Sequence, residues 1–211
     1  MRDFTDKCVV LKVNDYRDDD RLARVLTAEH GLVSVLLRGV KKAKAKLKPF
    51  AQPFACFDTR FVSGKGAFLT PVEPMLIADG FGLSSDLKIF TAASVAAETT
   101  LCAIGDDESH TDIFLEFLRF ERVVETSGDP YYQAAVYISR LLQISGFYRE
   151  YPYAGGEPTS PVQMLGYAQR TGYEKRNESD MSRRALKYIC SEFSRNFDVG
   201  IQSVDSIDLY K

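Results

Sequence analysis

The chain has 211 residues, 45% of them hydrophobic, with 27 basic and 29 acidic residues for a net charge of −2. No stretch approaches the roughly 18 consecutive apolar residues of a membrane helix, and the N-terminus MRDFTDKC has no apolar signal region, so we expect neither a membrane protein nor an exported one. These properties favour a globular, cytoplasmic protein with one large or two small domains.

Charge is distributed unevenly along the chain. Residues 1–78 carry 14 basic and 9 acidic residues, whereas residues 79–211 carry 13 basic and 20 acidic residues. Such a difference is typical of a chain whose two parts have separate partners. The N-terminal part would suit a polyanion.

Short β-strands are predicted throughout the first 80 residues. Apolar and β-branched runs bounded by turn residues place them at 8–13, 21–27, 32–38, 54–62 and 67–72. Three consecutive aspartates, residues 18–20, indicate a solvated turn between strands, because the alternate-ligand spacing of an EF-hand is absent. The sequence SGKG, residues 63–66, predicts another turn. Five short strands in this length predict an OB-fold barrel.

Helical patterns replace the strands after Gly80. Starts are predicted at Ser84 or Ser85, Thr111 or Asp112, Asp129-Pro130, Ser160-Pro161 and Ser182, with ends near residues 104, 146, 172 and 197 for the first, third, fourth and last helices. The predicted fold class is therefore mixed β and α. A five-stranded OB-fold, nucleic-acid-binding domain occupies residues 1–79, and an all-helical domain occupies residues 80–211.

Catalytic and metal-binding motifs are absent from the sequence. The four cysteines, Cys8, Cys56, Cys102 and Cys190, form no close pairs of the kind that zinc sites use. With only two histidines and no phosphate-binding or nucleophile motif, we predict no metal, no cofactor and no enzymatic activity.

A basic loop, residues 38–48, is the feature that most suggests a function. It contains six basic residues and no acidic one, and it joins two strands of the predicted barrel. A solvated loop is the simpler interpretation, but OB-folds commonly hold nucleic acid on their faces and loops. We expect Phe54, Phe57 and Phe61 in the core and Phe50 exposed for base stacking. The predicted nucleic-acid-binding residues are Arg24, Arg38, Lys41, Lys42, Lys44, Lys46, Lys48 and Phe50.

A second set of basic residues lies in the helical part. Taken singly, each is explained by surface pairing with nearby acidic residues. As a group they could receive an acidic peptide tail. The predicted partner-binding residues are Arg119, Arg122, Arg183, Arg184 and Lys187.

An ordered set of motifs in the first 80 residues resembles the RecO family of bacterial DNA repair and recombination mediators. The matching elements are Val10-Leu11, the polar turn of residues 16–21, Thr27 with His30-Gly31, Arg38-Gly39, the lysines of the basic loop, and the sequence AQPF at residues 51–54. In the helical part, RLLQISGF (residues 140–147) is similar to the end of a family helix.

The resemblance implies binding of single- and double-stranded DNA, annealing of complementary strands, and partnership with RecR and with the acidic tail of single-stranded DNA-binding protein to help load RecA. Many family members carry a four-cysteine zinc module after the matching helix, where this chain has no cysteine. We expect the zinc to be absent and Tyr148, Tyr151 and Tyr153 to pack in its place. Two alternatives remain open, an OB-fold interaction protein that has lost DNA binding and an RNA-binding OB protein.

Overall fold

Five β-strands precede all the α-helices in the computed structural model, which describes residues 3–63, 66, 68–105 and 109–209. The strands are β1 (Phe4–Tyr16), β2 (Asp20–Thr27), β3 (Gly31–Leu37), β4 (Cys56–Ser63) and β5 (Leu69–Ala78). They close into a barrel in the order β1-β2-β3-β5-β4, with β3 and β5 parallel and the other pairs antiparallel. The prediction of an N-terminal OB-fold barrel is confirmed.

Alternating side chains fill the barrel interior. Val10 of β1, Val25 of β2 and Val35 of β3 belong to one core cluster with Phe57 and Phe61 of β4. Leu26, which follows Val25 on β2, is fully buried as well, so β2 is covered on both faces at this point. In the β1–β2 pair, the register shifts in β1 between Val10 and Lys12. A shift of this kind increases local twist and helps a strand bend around a small barrel.

The strands extend further than the sequence pattern indicates. β1 continues to Tyr16 through polar residues that pair with the start of β2, and β5 continues to Ala78, which pairs with Cys56. Backbone pairing with the neighbouring strand sets the ends of β1 and β5. The alternation of hydrophobic residues in the sequence does not indicate this pairing. The predicted turn at residues 63–66 lies partly outside the described residues.

Two compact units make up the chain. One consists of Met1–Phe81 together with Ile104–Phe114, and the other of Gly82–Ala103 together with Leu115–Lys211. In the first unit, the Thr111 hydroxyl donates to the carbonyl oxygen of Ala28 at 2.9 Å, which ties Thr111 to the turn between β2 and β3. The boundary between residues 79 and 80 stays a prediction.

Six α-helices follow the barrel in the described part of the chain, with bounds α1 (Phe81–Ser85), α2 (Leu87–Ala103), α3 (Thr111–Val124), α4 (Pro130–Ile144), α5 (Pro161–Thr171) and α6 (Asp180–Phe197). Two predicted helix starts are wrong by a few residues. The Asp86 side chain, and not Ser84 or Ser85, accepts from the first amides of α2, and Ser179, and not Ser182, caps α6. No helix among the described residues is both long and apolar enough to cross a membrane.

The cap of α4 gives a test of helix stability. Asp129 is fully buried and its carboxylate accepts from the amide of Tyr132 at 3.1 Å. Asp129→Ala should lower the free energy of unfolding by about 1–2 kcal/mol because it leaves an amide of the first turn unsatisfied. Asp129→Asn keeps an acceptor at the same place and should lower the free energy of unfolding by less. Urea denaturation measures both changes.

The pH dependence of the same residue has a defined sign. Burial raises the pKa of Asp129 above its ordinary value, so the folded state holds the proton more tightly than the unfolded state. This residue's contribution to stability therefore declines as pH rises from the unfolded-state pKa to the folded-state pKa. Asp129→Asn should lack that decline, and an identical pH profile in the variant would contradict the assignment.

The tyrosine-rich segment after α4 is only partly packed. Tyr151 is buried and its amide donates to the Gln169 side chain at 2.9 Å, whereas Tyr148 is 56% exposed. The expectation that all three tyrosines pack is therefore wrong for Tyr148. No group of three or more His, Cys, Asp or Glu side chains among the described residues is arranged to hold a metal ion.

Candidate nucleic-acid interface

The basic loop follows β3 and begins with a turn that is hydrogen-bonded to the residues between β1 and β2 and at the start of β2. Gly39 has a φ of 65°, a conformation that glycine adopts without strain, and its amide donates to the Asp20 carboxylate at 2.8 Å. The amide of Lys41 then donates to the carbonyl oxygen of Asp19 at 3.1 Å. The predicted solvated aspartate turn thus also positions the start of the basic loop.

Successive turns order the rest of the loop. Amides of Lys42, Ala45 and Lys48 each donate to the carbonyl oxygen three residues before, at 3.1–3.2 Å, and a 3-10 helix at Lys48–Ala51 follows. Apolar side chains at both ends of the loop anchor it, since Val40, Phe50 and Ala51 belong to the barrel core and Leu47 packs against that core. The apolar side chains point into the barrel end, and the lysines between them are exposed.

Two of the lysines are neutralised by acidic residues at the end of β1 and in the β1–β2 connection. Lys41 Nζ lies 3.1 Å from a carboxylate oxygen of Asp15, and Lys42 Nζ lies 3.4 Å from one of Asp19. The hydrogen bond from Lys41 lowers the pKa of Asp15, so this carboxylate stays ionised at lower pH than an ordinary aspartate does. The loop has no acid in its own sequence, but the fold supplies two. Such exposed pairs are weak and screened by salt.

Four other basic residues of the loop are exposed and make no ion pair with any described residue. They are Arg38, Lys44, Lys46 and Lys48. Cations of this kind attract a polyanion without first breaking an internal contact. These four residues, called the free cations below, are therefore the strongest phosphate-binding candidates of the loop.

Phe50 is not the exposed ring that we expected. Its side chain is 8% exposed and packs edge-on against Phe57, with ring centroids 5.2 Å apart. The 3-10 helix turns the ring into the barrel end, where it covers the core. The expected exposure of Phe50 is therefore wrong, and its stacking on bases stays an untested prediction that this burial does not favour. The core assignment of Phe54, Phe57 and Phe61 is confirmed by their burial.

Arg24 lies on the outer side of the barrel wall, away from the loop. Its guanidinium donates to the Ser34 hydroxyl at 2.8 Å, and it pairs in register with exposed Lys12 on β1. Arg24 is three residues from Arg21, which pairs with the end of β3, so it stands about 10 Å along the strand from the loop. Lys12, which sequence reasoning missed, adds a second cation here.

Arg17 is a further cation that sequence reasoning missed. It is exposed in the β1–β2 connection, its carbonyl oxygen accepts from Lys41 Nζ at 3.3 Å, and its guanidinium lies 5.2 Å from the Tyr16 ring centroid. Three aspartates follow Arg17 in the sequence, so the local charge pattern is acidic and does not indicate a cationic site. In the fold it stands beside the basic loop.

The acidic partners of the loop lead to a prediction on affinity. Asp15→Asn with Asp19→Asn removes two negative charges and leaves Lys41 and Lys42 unpaired while keeping side-chain size. If the loop contacts phosphate, the double variant should bind DNA several-fold more tightly at low salt because counterion release grows with the number of available cations. Fluorescence anisotropy at several salt concentrations measures this, and unchanged or weaker binding would contradict it.

The predicted partner-binding residues of the second unit do not form one set of available cations. Arg183 pairs with Asp180 and Lys187 with Asp208, so both are engaged. Arg119 lies over the Tyr173 ring, while Arg122 and Arg184 are exposed. No hydrogen bond or ion pair among the described residues joins the α3 arginines to the α6 basic residues. The exposed members are Arg119, Arg122 and Arg184.

A cavity of about 480 Å³ opens in the same unit beside Glu116, Arg140 and Tyr148. Among the described residues that line it, the cation Arg140 is already paired, since it donates to Glu116 at 3.1 Å and lies 4.8 Å from the Tyr173 ring centroid. The charge balance of this cavity does not favour an anionic ligand. The basic loop therefore remains the better candidate for a polyanion.

Comparison with known proteins agrees with this arrangement. Residues 1–75 match the family model described as Recombination protein O N terminal. DNA repair protein RecO of Clostridium novyi (strain NT) is 30% identical over 146 residues, covering 68% of this chain and 56% of that protein. The RecO protein of Bacillus subtilis (strain 168) is 28% identical over 148 residues, covering 68% and 57%.

A third relative, DNA repair protein RecO of Anaeromyxobacter sp. (strain K), is 31% identical over 107 residues, or 50% of this chain and 42% of that protein. The chain thus spans about half the length of the curated relatives it matches. The family model covers β1 to β4, most of β5 and the basic loop, which are the parts that carry the candidate interface. With an OB-fold barrel, a matching N-terminal domain and RecO relatives over two thirds of its length, the chain belongs to the RecO family of DNA repair proteins.

Proposed function

We propose that this chain is a non-catalytic mediator of DNA repair and recombination that binds DNA through its basic loop and anneals complementary strands. The observation that supports this most directly is the group of four free cations on an ordered loop of an OB-fold barrel. The RecO membership of the chain makes DNA the polyanion to test first. We propose that the chain carries out this function in the cytoplasm.

The proposed mechanism of annealing is the neutralisation of DNA phosphates by the basic loop. Two complementary strands repel each other through their phosphates, and lysines that replace condensed counterions reduce this repulsion. Contacts of this kind carry no sequence information, so the loop would accept any strand. Anchoring of the loop by Val40, Leu47 and Phe50 keeps the cations together before DNA arrives, which lowers the entropic cost of binding.

Partners form a second part of the proposal. We assign the helical part of the chain, residues 80–211, to protein contacts, namely with RecR and with the acidic tail of single-stranded DNA-binding protein, which together would help load RecA. The tail would meet Arg119, Arg122 and Arg184, because Arg183 and Lys187 already pair with carboxylates. Residues 1–79 would carry the nucleic-acid contacts.

Titration of labelled DNA tests the main proposal. The chain should bind a single strand and a duplex of the same length at low salt, with affinity falling linearly on a log–log plot as salt rises. It should also accelerate annealing of two complementary strands under the same conditions. Absence of binding at low salt would refute the proposal.

A second candidate function is an OB-fold interaction protein that has lost DNA binding. The pairing of Lys41 and Lys42 with acidic residues favours it, together with the net charge of −2. The same titration separates the two, because this candidate predicts no binding of either DNA. Competition between DNA and RNA of one length separates both from an RNA-binding OB protein.

A further inference from the structure

We propose that Tyr16 and Phe68 form a subsite that stacks an unpaired base of the DNA strand held by the basic loop. This inference rests on the proposed DNA-binding function and adds what that function lacks, an aromatic contact for the bases. Phe50, the ring nearest to the lysines in sequence, is buried in the core and cannot supply one.

The two rings come from different connections of the barrel. Tyr16 ends β1, just before the β1–β2 connection, and Phe68 stands immediately before β5. Their centroids are 5.7 Å apart at an interplanar angle of 78°, and both side chains are partly exposed. An edge-to-face pair holds each ring in place without covering it on both sides. In an OB-fold, these two connections are general sites for oligonucleotides.

The basic loop reaches both sequence neighbours of Tyr16. Lys41 Nζ lies 3.1 Å from the Asp15 carboxylate and 3.3 Å from the Arg17 carbonyl oxygen. A strand whose phosphates follow the loop therefore passes beside the Tyr16 ring. Its unpaired bases could reach the ring, whereas the bases of an intact duplex are already stacked on one another.

Arg17 covers the face of the Tyr16 ring on which a base would stack. Its planar guanidinium lies over the Tyr16 ring at 5.2 Å from the centroid, it is exposed, and it forms no ion pair with a described residue. Its φ of 56° is a conformation that non-glycine residues rarely adopt. A base could enter between guanidinium and ring, because both partners stack on flat aromatic groups.

The test compares two strands of equal length, one of thymidines and one of abasic residues, which carry the same phosphates. Wild type should bind the thymidine strand at least about fivefold more tightly, the lower bound for one stacked base. Tyr16→Ala should remove most of this difference, and Tyr16→Phe should keep it. Binding of a duplex should be the same in all three proteins.

The outcomes separate this inference from the function on which it rests. If wild type binds neither strand, the proposed DNA-binding function fails and the subsite fails with it. If both strands bind equally to wild type, or Tyr16→Ala keeps the full difference, the lysines bind DNA and only the subsite is refuted.

A second variant covers the case in which Tyr16→Ala folds poorly. The chain contains no tryptophan, so Tyr16→Trp introduces a single reporter at the subsite. Stacking of a base should quench its fluorescence when the thymidine strand saturates the protein, and the abasic strand should leave it bright. Equal signals with both strands would overturn the subsite.

Discussion

Alanine at all four free cations, Arg38, Lys44, Lys46 and Lys48, should lower DNA affinity by at least about tenfold at low salt. The salt dependence should also flatten, because each lost phosphate contact removes about 0.7 from the log–log slope for a single strand and about 0.9 for a duplex. Complete loss of four contacts would reduce the two slopes by about 3 and about 4. Anisotropy titrations at several salt concentrations measure both quantities.

A matched control separates local contact from overall charge. Four exposed basic residues outside the loop can be replaced by alanine, giving the same change in net charge: Lys7, Arg60, Arg170 and Lys175. This variant should lose little affinity and keep the wild-type slope. If the two variants behave alike, DNA is attracted by net charge alone and the basic loop is not its binding site.

Phe50→Ala should destabilise the barrel by about 3–5 kcal/mol, the usual cost of deleting a buried phenyl ring. The ring is 8% exposed, contacts Phe57 and anchors the end of the basic loop, so its removal opens a cavity at the barrel end. Urea denaturation measures the loss in the free energy of unfolding. A loss of that size is a large part of the stability of an ordinary domain.

Phe50→Leu provides the matched variant because it keeps an apolar side chain in the core. It should remain folded and bind DNA with wild-type affinity, since the ring does not reach solvent. A stable Phe50→Leu protein with several-fold weaker binding of single strands would mean that this ring does contact bases. The pair of variants thus decides between a core role and a stacking role for Phe50.

Local sequence patterns were sufficient for the existence of most elements. Alternating apolar residues marked the five strands, and Asp129-Pro130 and Ser160-Pro161 marked the starts of α4 and α5. The same patterns misplaced the caps of α2 and α6, because several neighbouring polar side chains could accept from the first turn. Only the final backbone geometry selects Asp86 and Ser179.

Charge and hydrophobicity along the sequence also predicted the basic loop, since six cations in eleven residues need no tertiary information to be recognised. The partners of those cations could not be predicted in the same way. Asp15 and Asp19 are more than twenty residues away from the lysines that they neutralise, and the antiparallel pairing of β2 with both β1 and β3 brings them together. Arg17 was overlooked for the same reason.

Aromatic residues show most clearly what could not be predicted from the sequence alone. By itself, the sequence determined that this chain has an OB-fold barrel with a cationic loop, because alternation and charge are local properties. Which ring faces solvent was decided only by the tertiary structure. The 3-10 turn at Lys48–Ala51 directs Phe50 into the core, and the meeting of two distant connections leaves Tyr16 and Phe68 partly exposed beside the lysines.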